Sequence, residues 1–220
     1  MNFKIKILFL LLLFSFVGCK VKEKPYWDDI QKFKTIDQQN IPRQQEILFI
    51  GSSSFTKWQD VQEYFPDHPI INRAFGGSTL LNLIQYKNDI LNPYHPKQIV
   101  IYCGENDIAN DDKVTGEIVY NRFRKLFKII KQKYPDVFVA YVSMKPSPSR
   151  WHLREKMIDG NNRIETFLKM EKNTVFISIW DKMLDESRKP IGEIFVKDSL
   201  HMNSKGYEIW KKEIAPNLKF

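Results

Sequence analysis

Three serines in a row, Ser52-Ser53-Ser54, follow Gly51 directly after the apolar run Ile47-Leu48-Phe49-Ile50. A serine hydroxyl is a weak nucleophile at neutral pH and attacks a carbonyl only when an adjacent base takes its proton. Histidine suits that role because it titrates near the working pH. The chain supplies one late, in Asp198-Ser199-Leu200-His201. An aspartate bonded to one ring nitrogen fixes the tautomer and stabilises the imidazolium. Attack on an ester carbonyl also creates an oxyanion, which needs preorganised donors. Gly76-Gly77 offers backbone N–H groups in a tight turn, and Gly104-Glu105-Asn106-Asp107 offers the Asn106 amide. Singly, each group has a structural use: serines and Asn-Asp cap helices, glycines turn, and an Asp/His pair can be a loop ion pair. Together they point to acyl chemistry in one pocket.

The elements that must position these groups follow from hydrophobic patterning. Five β-prone segments are Ile47-Leu48-Phe49-Ile50, Pro69-Ile70-Ile71, Ile99-Val100-Ile101-Tyr102, Val137-Phe138-Val139-Ala140-Tyr141-Val142 and Thr174-Val175-Phe176-Ile177. Helices are expected over residues 28–39 (Ile30, Phe33 and Ile36 three apart), 115–134, 151–170 and 204–213. Near-continuous apolar strands alternating with helices indicate an α/β fold with a parallel sheet covered on both faces. Ligands of such sheets sit at the carboxyl ends of the strands. The serines, Gly76-Gly77 and Asn106 follow the first three strands there. Lys145-Pro146-Ser147-Pro148-Ser149-Arg150-Trp151 follows the fourth near the pocket rim and reads as a proline-stiffened loop, or alternatively as one that contacts substrate. Phe55, Phe75 and Trp151 fit either a pocket wall or the core.

These blocks, in this order, resemble those of the SGNH (GDSL-type) hydrolases, from about Ile47 to Trp210. The middle residue of the first block is Ser52, where that family usually has aspartate. The resemblance implies a flavodoxin-like three-layer α/β/α sandwich of about five parallel strands. It makes Ser53 the nucleophile, with Asp198 and His201 completing a triad. The backbone N–H groups of Ser53 and Gly77 and the Asn106 side chain become the oxyanion donors. The implied activity is hydrolysis of carboxylic esters, on substrates from acetylated carbohydrate to lysophospholipids and thioesters.

Other chemistry is poorly supported. His68, His95 and His152 have no metal-ligand spacing with each other or with Cys103, so neither metal nor cofactor is expected. Gly51 to Trp58 lacks the Gly-Lys-Ser/Thr ending of a phosphate loop. Cys103, in an apolar strand, reads as a small buried hydrophobe. The formal charge of +8 is spread over lysines with no dense run, so no nucleic-acid partner is expected.

Lys4 and Lys6 precede an uncharged stretch from Ile7 to Gly18, shorter than the ~20 residues a membrane-spanning helix needs. Phe16-Val17-Gly18-Cys19 resembles a bacterial lipobox. The organisation expected is a lipoprotein signal peptide over 1–18 and lipidation at Cys19. A tether and amphipathic helix over 19–45 and a hydrolase domain over 46–220 follow. The implied location is extracytoplasmic, at a bacterial membrane through the N-terminal lipid, with a small-molecule or glycan ester as the partner. A lipid acyl hydrolase, an acyltransferase and an inactive glycan-binding lipoprotein are the alternatives.

Overall fold

The computed structural model describes residues 24–220. The segment read as a signal peptide, Cys19 and the first tether residues lie outside them. The apolar runs form β1 (Ile47–Gly51), β2 (Ile70–Asn72), β3 (Gln98–Tyr102), β4 (Phe138–Val142) and β5 (Thr174–Ile177). They make one sheet in the order β2-β1-β3-β4-β5, with every pairing parallel.

Alternation of side chains across the sheet explains why the strands are apolar throughout. Leu48, Ile50, Ile99, Ile101, Val139 and Tyr141 face one core cluster. Ile47, Phe49, Val100, Tyr102, Ala140 and Val142 face the other. Each fully buried Leu, Ile or Phe contributes about 1.5–3 kcal/mol of transfer free energy.

In chain order the helices are α1 (Trp27–Gln39), α2 (Ser53–Thr56), α3 (Val61–Tyr64), α4 (Leu80–Gln85), α5 (Lys87–Ile90), α6 (Glu105–Ala109), α7 (Gly116–Lys133), α8 (Arg154–Leu168) and α9 (Ser204–Ile214). Ile30 of α1, Leu80 and Leu83 of α4, Phe123 of α7 and Ile164 of α8 pack on the first cluster. Phe55 of α2, Val61 of α3 and Trp210 of α9 pack on the second. The result is an α/β/α sandwich. Among the described residues no helix is long and apolar enough to cross a membrane.

Two expectations change. Ile36 is exposed, so α1 buries a narrower face than its three-residue spacing implied. The helix expected over 151–170 divides into a 3-10 turn, Pro148–Leu153, and α8. Leu153, at φ −95° and ψ 2°, separates the two, and Arg150, at φ −113° and ψ 16°, kinks the 3-10 turn itself.

The sheet order reverses direction between β1 and β3, the switch point at which such folds open a crevice. The serine block leaves the end of β1 and the Asn106 block leaves the end of β3.

Candidate active site

Gly51 determines how the serine block leaves the sheet. Its φ is +149°, and a Cβ there would lie 2.0 Å from the Tyr102 carbonyl oxygen. The backbone is thereby pressed against β3, and Ser52 N–H donates to that oxygen at 2.9 Å. The chain then turns so that Ser53 is the first residue of the single-turn α2. Gly51→Ala combines a backbone clash with a backbone conformation that L-residues avoid. It is expected to cost about 3 kcal/mol, read as a fall in Tm of about 6–12 °C. A Tm within 2–3 °C of wild type would refute this close approach.

His201 arrives from the loop before α9. Asn203 caps that helix by accepting from Lys205 and Gly206 N–H, and Phe195 pairs with Met202 in an antiparallel bridge. Between them Ser199 takes φ +55°. This curls the loop so that one Asp198 oxygen accepts from Leu200 N–H at 2.9 Å and His201 N–H at 2.8 Å. The other oxygen meets His201 Nδ1 at 2.6 Å. His201 Nε2 lies 2.9 Å from Ser53 Oγ.

A carboxylate only accepts, so Nδ1 carries the proton and Nε2 is left to accept from the serine hydroxyl. Burial works to raise the Asp198 pKa. The bonds from the His201 ring and from the His201 and Leu200 backbone outweigh it and hold the carboxyl below its usual range. Its contribution to folding is therefore present above about pH 3.9, the unfolded value, and is lost only as pH falls through the lower folded value.

Asn106 sits in the first turn of α6 and is buried. Its Nδ2 donates to Ser52 Oγ at 2.7 Å and to the Ser78 carbonyl at 3.0 Å. Both amide hydrogens thus have protein acceptors, and an oxyanion would share the one directed at Ser52. Gly77 takes φ +81° in the turn after β2. Gly76 in that turn is close to Ser53: a Cβ there would lie 4.0 Å from the Ser53 Cβ. Tyr26 donates to the Gly77 carbonyl at 3.0 Å, and Asn72 ties the same loop to α2 by donating to the Phe55 carbonyl at 2.8 Å. Among the described residues no protein acceptor pairs with the Ser53 or Gly77 N–H.

Of the three serines, the histidine meets Ser53. Ser54 is buried beneath it, with its carbonyl accepting from Tyr207 of α9. Phe55 and Phe75 are fully buried core residues, which settles their open reading. Trp151 is half-buried and stacks on Trp180 at 6.2 Å between ring centroids. Burial pushes the Cys103 thiol well above its ordinary pKa, so it is no nucleophile at neutral pH.

A buried ionic cluster behind Asn106 was not expected. Glu105 pairs with Lys145 at 3.0 Å and Arg150 at 3.2 Å and accepts from the Tyr102 hydroxyl. Burial alone would raise the Glu105 pKa, but Lys145 and Arg150 lower it overall. The sequence signal for this cluster was Lys145 and Arg150 flanking a proline-rich loop at a strand end. The two cations of this loop point inward. A groove of about 920 Å³ between α7 and α8, lined by Arg124, Lys125, Lys128, Lys131 and Phe167, contains none of the residues of this site.

The GDSL-like lipase/acylhydrolase family model matches residues 49–209. Over 182 residues the chain is 28% identical to N-acylneuraminate cytidylyltransferase of Escherichia coli O18:K1:H7, covering 79% of this chain but only 40% of that protein. It is 25% identical to the rat platelet-activating factor acetylhydrolase IB subunit alpha2, covering 75% of this chain and 72% of the relative. Among solved structures, a GDSL-like lipase of Bacteroides thetaiotaomicron superposes with a TM-score of 0.73 at 21% identity, covering 86% of this chain and 96% of that one. The fold and the family match over most of the chain agree: it belongs to the GDSL-like lipase/acylhydrolase family, a family of hydrolases acting on esters.

Proposed function

We propose that this chain is a serine esterase that cleaves carboxylic esters through an acyl-serine intermediate. The continuous Asp198–His201–Ser53 chain of 2.6 and 2.9 Å contacts carries the proposal. As Ser53 Oγ attacks the ester carbonyl, its proton passes to His201 Nε2, and Asp198 stabilises the imidazolium. The Ser53 and Gly77 N–H groups and the Asn106 amide receive the oxyanion. Collapse breaks the ester bond, and His201 returns the proton to the departing alcohol. The same imidazole then takes a proton from water as it attacks the acyl-serine, and returns that proton to Ser53 Oγ as the acyl–oxygen bond breaks and the acid leaves.

Small acyl groups, acetyl esters on carbohydrate foremost, are the proposed substrates. The acetylhydrolase among the relatives supports a small acyl group. The test is a side-by-side panel of acetylated oligosaccharide, lysophospholipid, acyl thioester and p-nitrophenyl acetate. Turnover confined to lysophospholipid or thioester would replace this substrate class with a lipid one.

The proposal extends to a lipid anchor at Cys19, supported by the Phe16-Val17-Gly18-Cys19 sequence. Pro25 accepts from Tyr86 at 2.6 Å, and Tyr26 is held at Gly77. The seven residue-to-residue steps from Cys19 to Tyr26 reach at most about 25 Å, so an acylated Cys19 keeps the site near the bilayer. Cys19→Ala is expected to abolish incorporation of labelled fatty acid in the expressing cell. Equal labelling of wild type and variant would remove the anchor.

A further inference from the structure

The proline-rich turn after β4 places a guanidinium against the back of the amide that the proposed mechanism uses. Arg150 Nη2 donates to Asn106 Oδ1 at 2.8 Å, and Nη1 donates to Glu105 Oε2 at 3.2 Å. An arginine has only donors, and the Ser78 carbonyl on the other side of Asn106 only accepts. Both neighbours therefore select the same amide orientation, with Oδ1 toward Arg150 and Nδ2 toward Ser52 and Ser78. The Arg150 contact adds a positive charge on the amide oxygen, which draws electron density from the N–H groups and makes them stronger donors.

Charge balance alone does not account for Arg150. Glu105 is already held by Lys145, whose Nζ reaches its two carboxylate oxygens at 3.2 and 3.0 Å and whose backbone N–H donates to it at 3.0 Å. Arg150 is a second cation on one carboxylate, and its remaining specific contact is Asn106. The backbone is built to deliver it. The 3-10 turn departs from helical angles at Arg150, and the adjacent Ser149 N–H donates to the Ser199 carbonyl at 3.1 Å. That bond ties the turn to the loop carrying Asp198 and His201. One short segment thus spans the base and the amide.

We infer that Arg150 is a positioning residue for catalysis, orienting and polarising the Asn106 amide against the charge that develops on the substrate oxygen. The inference rests on the serine-esterase reading above. Its test is a comparison of Arg150→Ala in the wild-type and Asn106→Ala backgrounds, with kcat and KM measured on p-nitrophenyl acetate and folding checked by circular dichroism.

In the wild-type background kcat is expected to fall about 10- to 100-fold while KM changes less than about threefold. In the Asn106→Ala background no further loss is expected, because the group through which Arg150 acts is gone. An unchanged kcat, or an equal loss in both backgrounds, would overturn the inference. Should Arg150→Ala not fold, Arg150→Lys takes its place under the same criteria, since it keeps the charge but not the planar fork. Failure of the esterase reading itself is separate: it would appear as full activity in Ser53→Ala.

Discussion

Ser53→Ala is expected to abolish labelling by a fluorophosphonate probe and to lower kcat by on the order of 10⁴–10⁶. The probe phosphonylates a serine whose proton is being taken by a base, and Ser53 is the serine that meets His201 Nε2. Wild type should label on the peptide containing Ser53. His201→Ala should label very slowly, because the hydroxyl then has no acceptor for its proton. Asp198→Ala should keep partial reactivity, since the imidazole survives but loses its tautomer and orientation. The losses should not multiply: Ser53→Ala combined with His201→Ala should be little worse than either alone. Label found on Ser52 or Ser54 would shift the nucleophile by one position. A folded wild type with neither labelling nor ester turnover would leave the inactive glycan-binding reading in its place.

The second large effect is expected at Asn106. Asn106→Ala should lower kcat by about 10²–10³ with a smaller change in KM, because the amide bonds the oxyanion more strongly than the ground-state carbonyl. The structure adds a condition. The hydrogen in question is directed at Ser52 Oγ in the resting site, so the developing charge must attract it away from a neutral hydroxyl. Charge-assisted bonds are roughly twice as strong as neutral ones, which favours that transfer. An unchanged kcat in a folded variant, with chemistry limiting turnover, would mean that the amide stays with Ser52 and serves only the architecture.

The Asp198–His201 pair was legible because its geometry is local, whereas Ser53 and Asn106 were legible by their place at strand ends. Asp198 and His201 are three apart, so one tight loop brings carboxylate and ring together whatever the rest of the chain does. The five strands were legible because both faces of each are buried, which leaves unbroken apolar runs. Short helices were not, since α2 to α6 have four to six residues and too few positions to show a period. Phe55 and Phe75 could not be assigned either, because a residue just past a strand can point to the crevice or to the core.

The Glu105–Lys145–Arg150 cluster was the least legible part. Lysine and arginine on a loop ordinarily face water, and only the packing of the turn against α6 makes their burial possible. The same turn explains the misplaced start of α8. The 151–170 pattern is apolar enough to read as one helix, but its first residues belong to the 3-10 turn that carries Arg150 inward, and α8 starts only after Leu153.

The span between Ser53 and His201 also has a kinetic meaning. The two residues are 148 positions apart, one at the start of α2 just past the first strand and the other just before α9. Closing so long a loop is entropically costly, and contacts of this kind form late when parallel strands must first find their neighbours. The serine turn leans on the same segment, since Tyr207 of α9 donates to the Ser54 carbonyl and Trp210 packs on Phe55. A chain in which α9 has not docked leaves the Tyr102 face of the sheet uncovered and brings no base to Ser53. Ester turnover during refolding is therefore expected to report docking of the segment that carries His201, and not collapse of the strands alone.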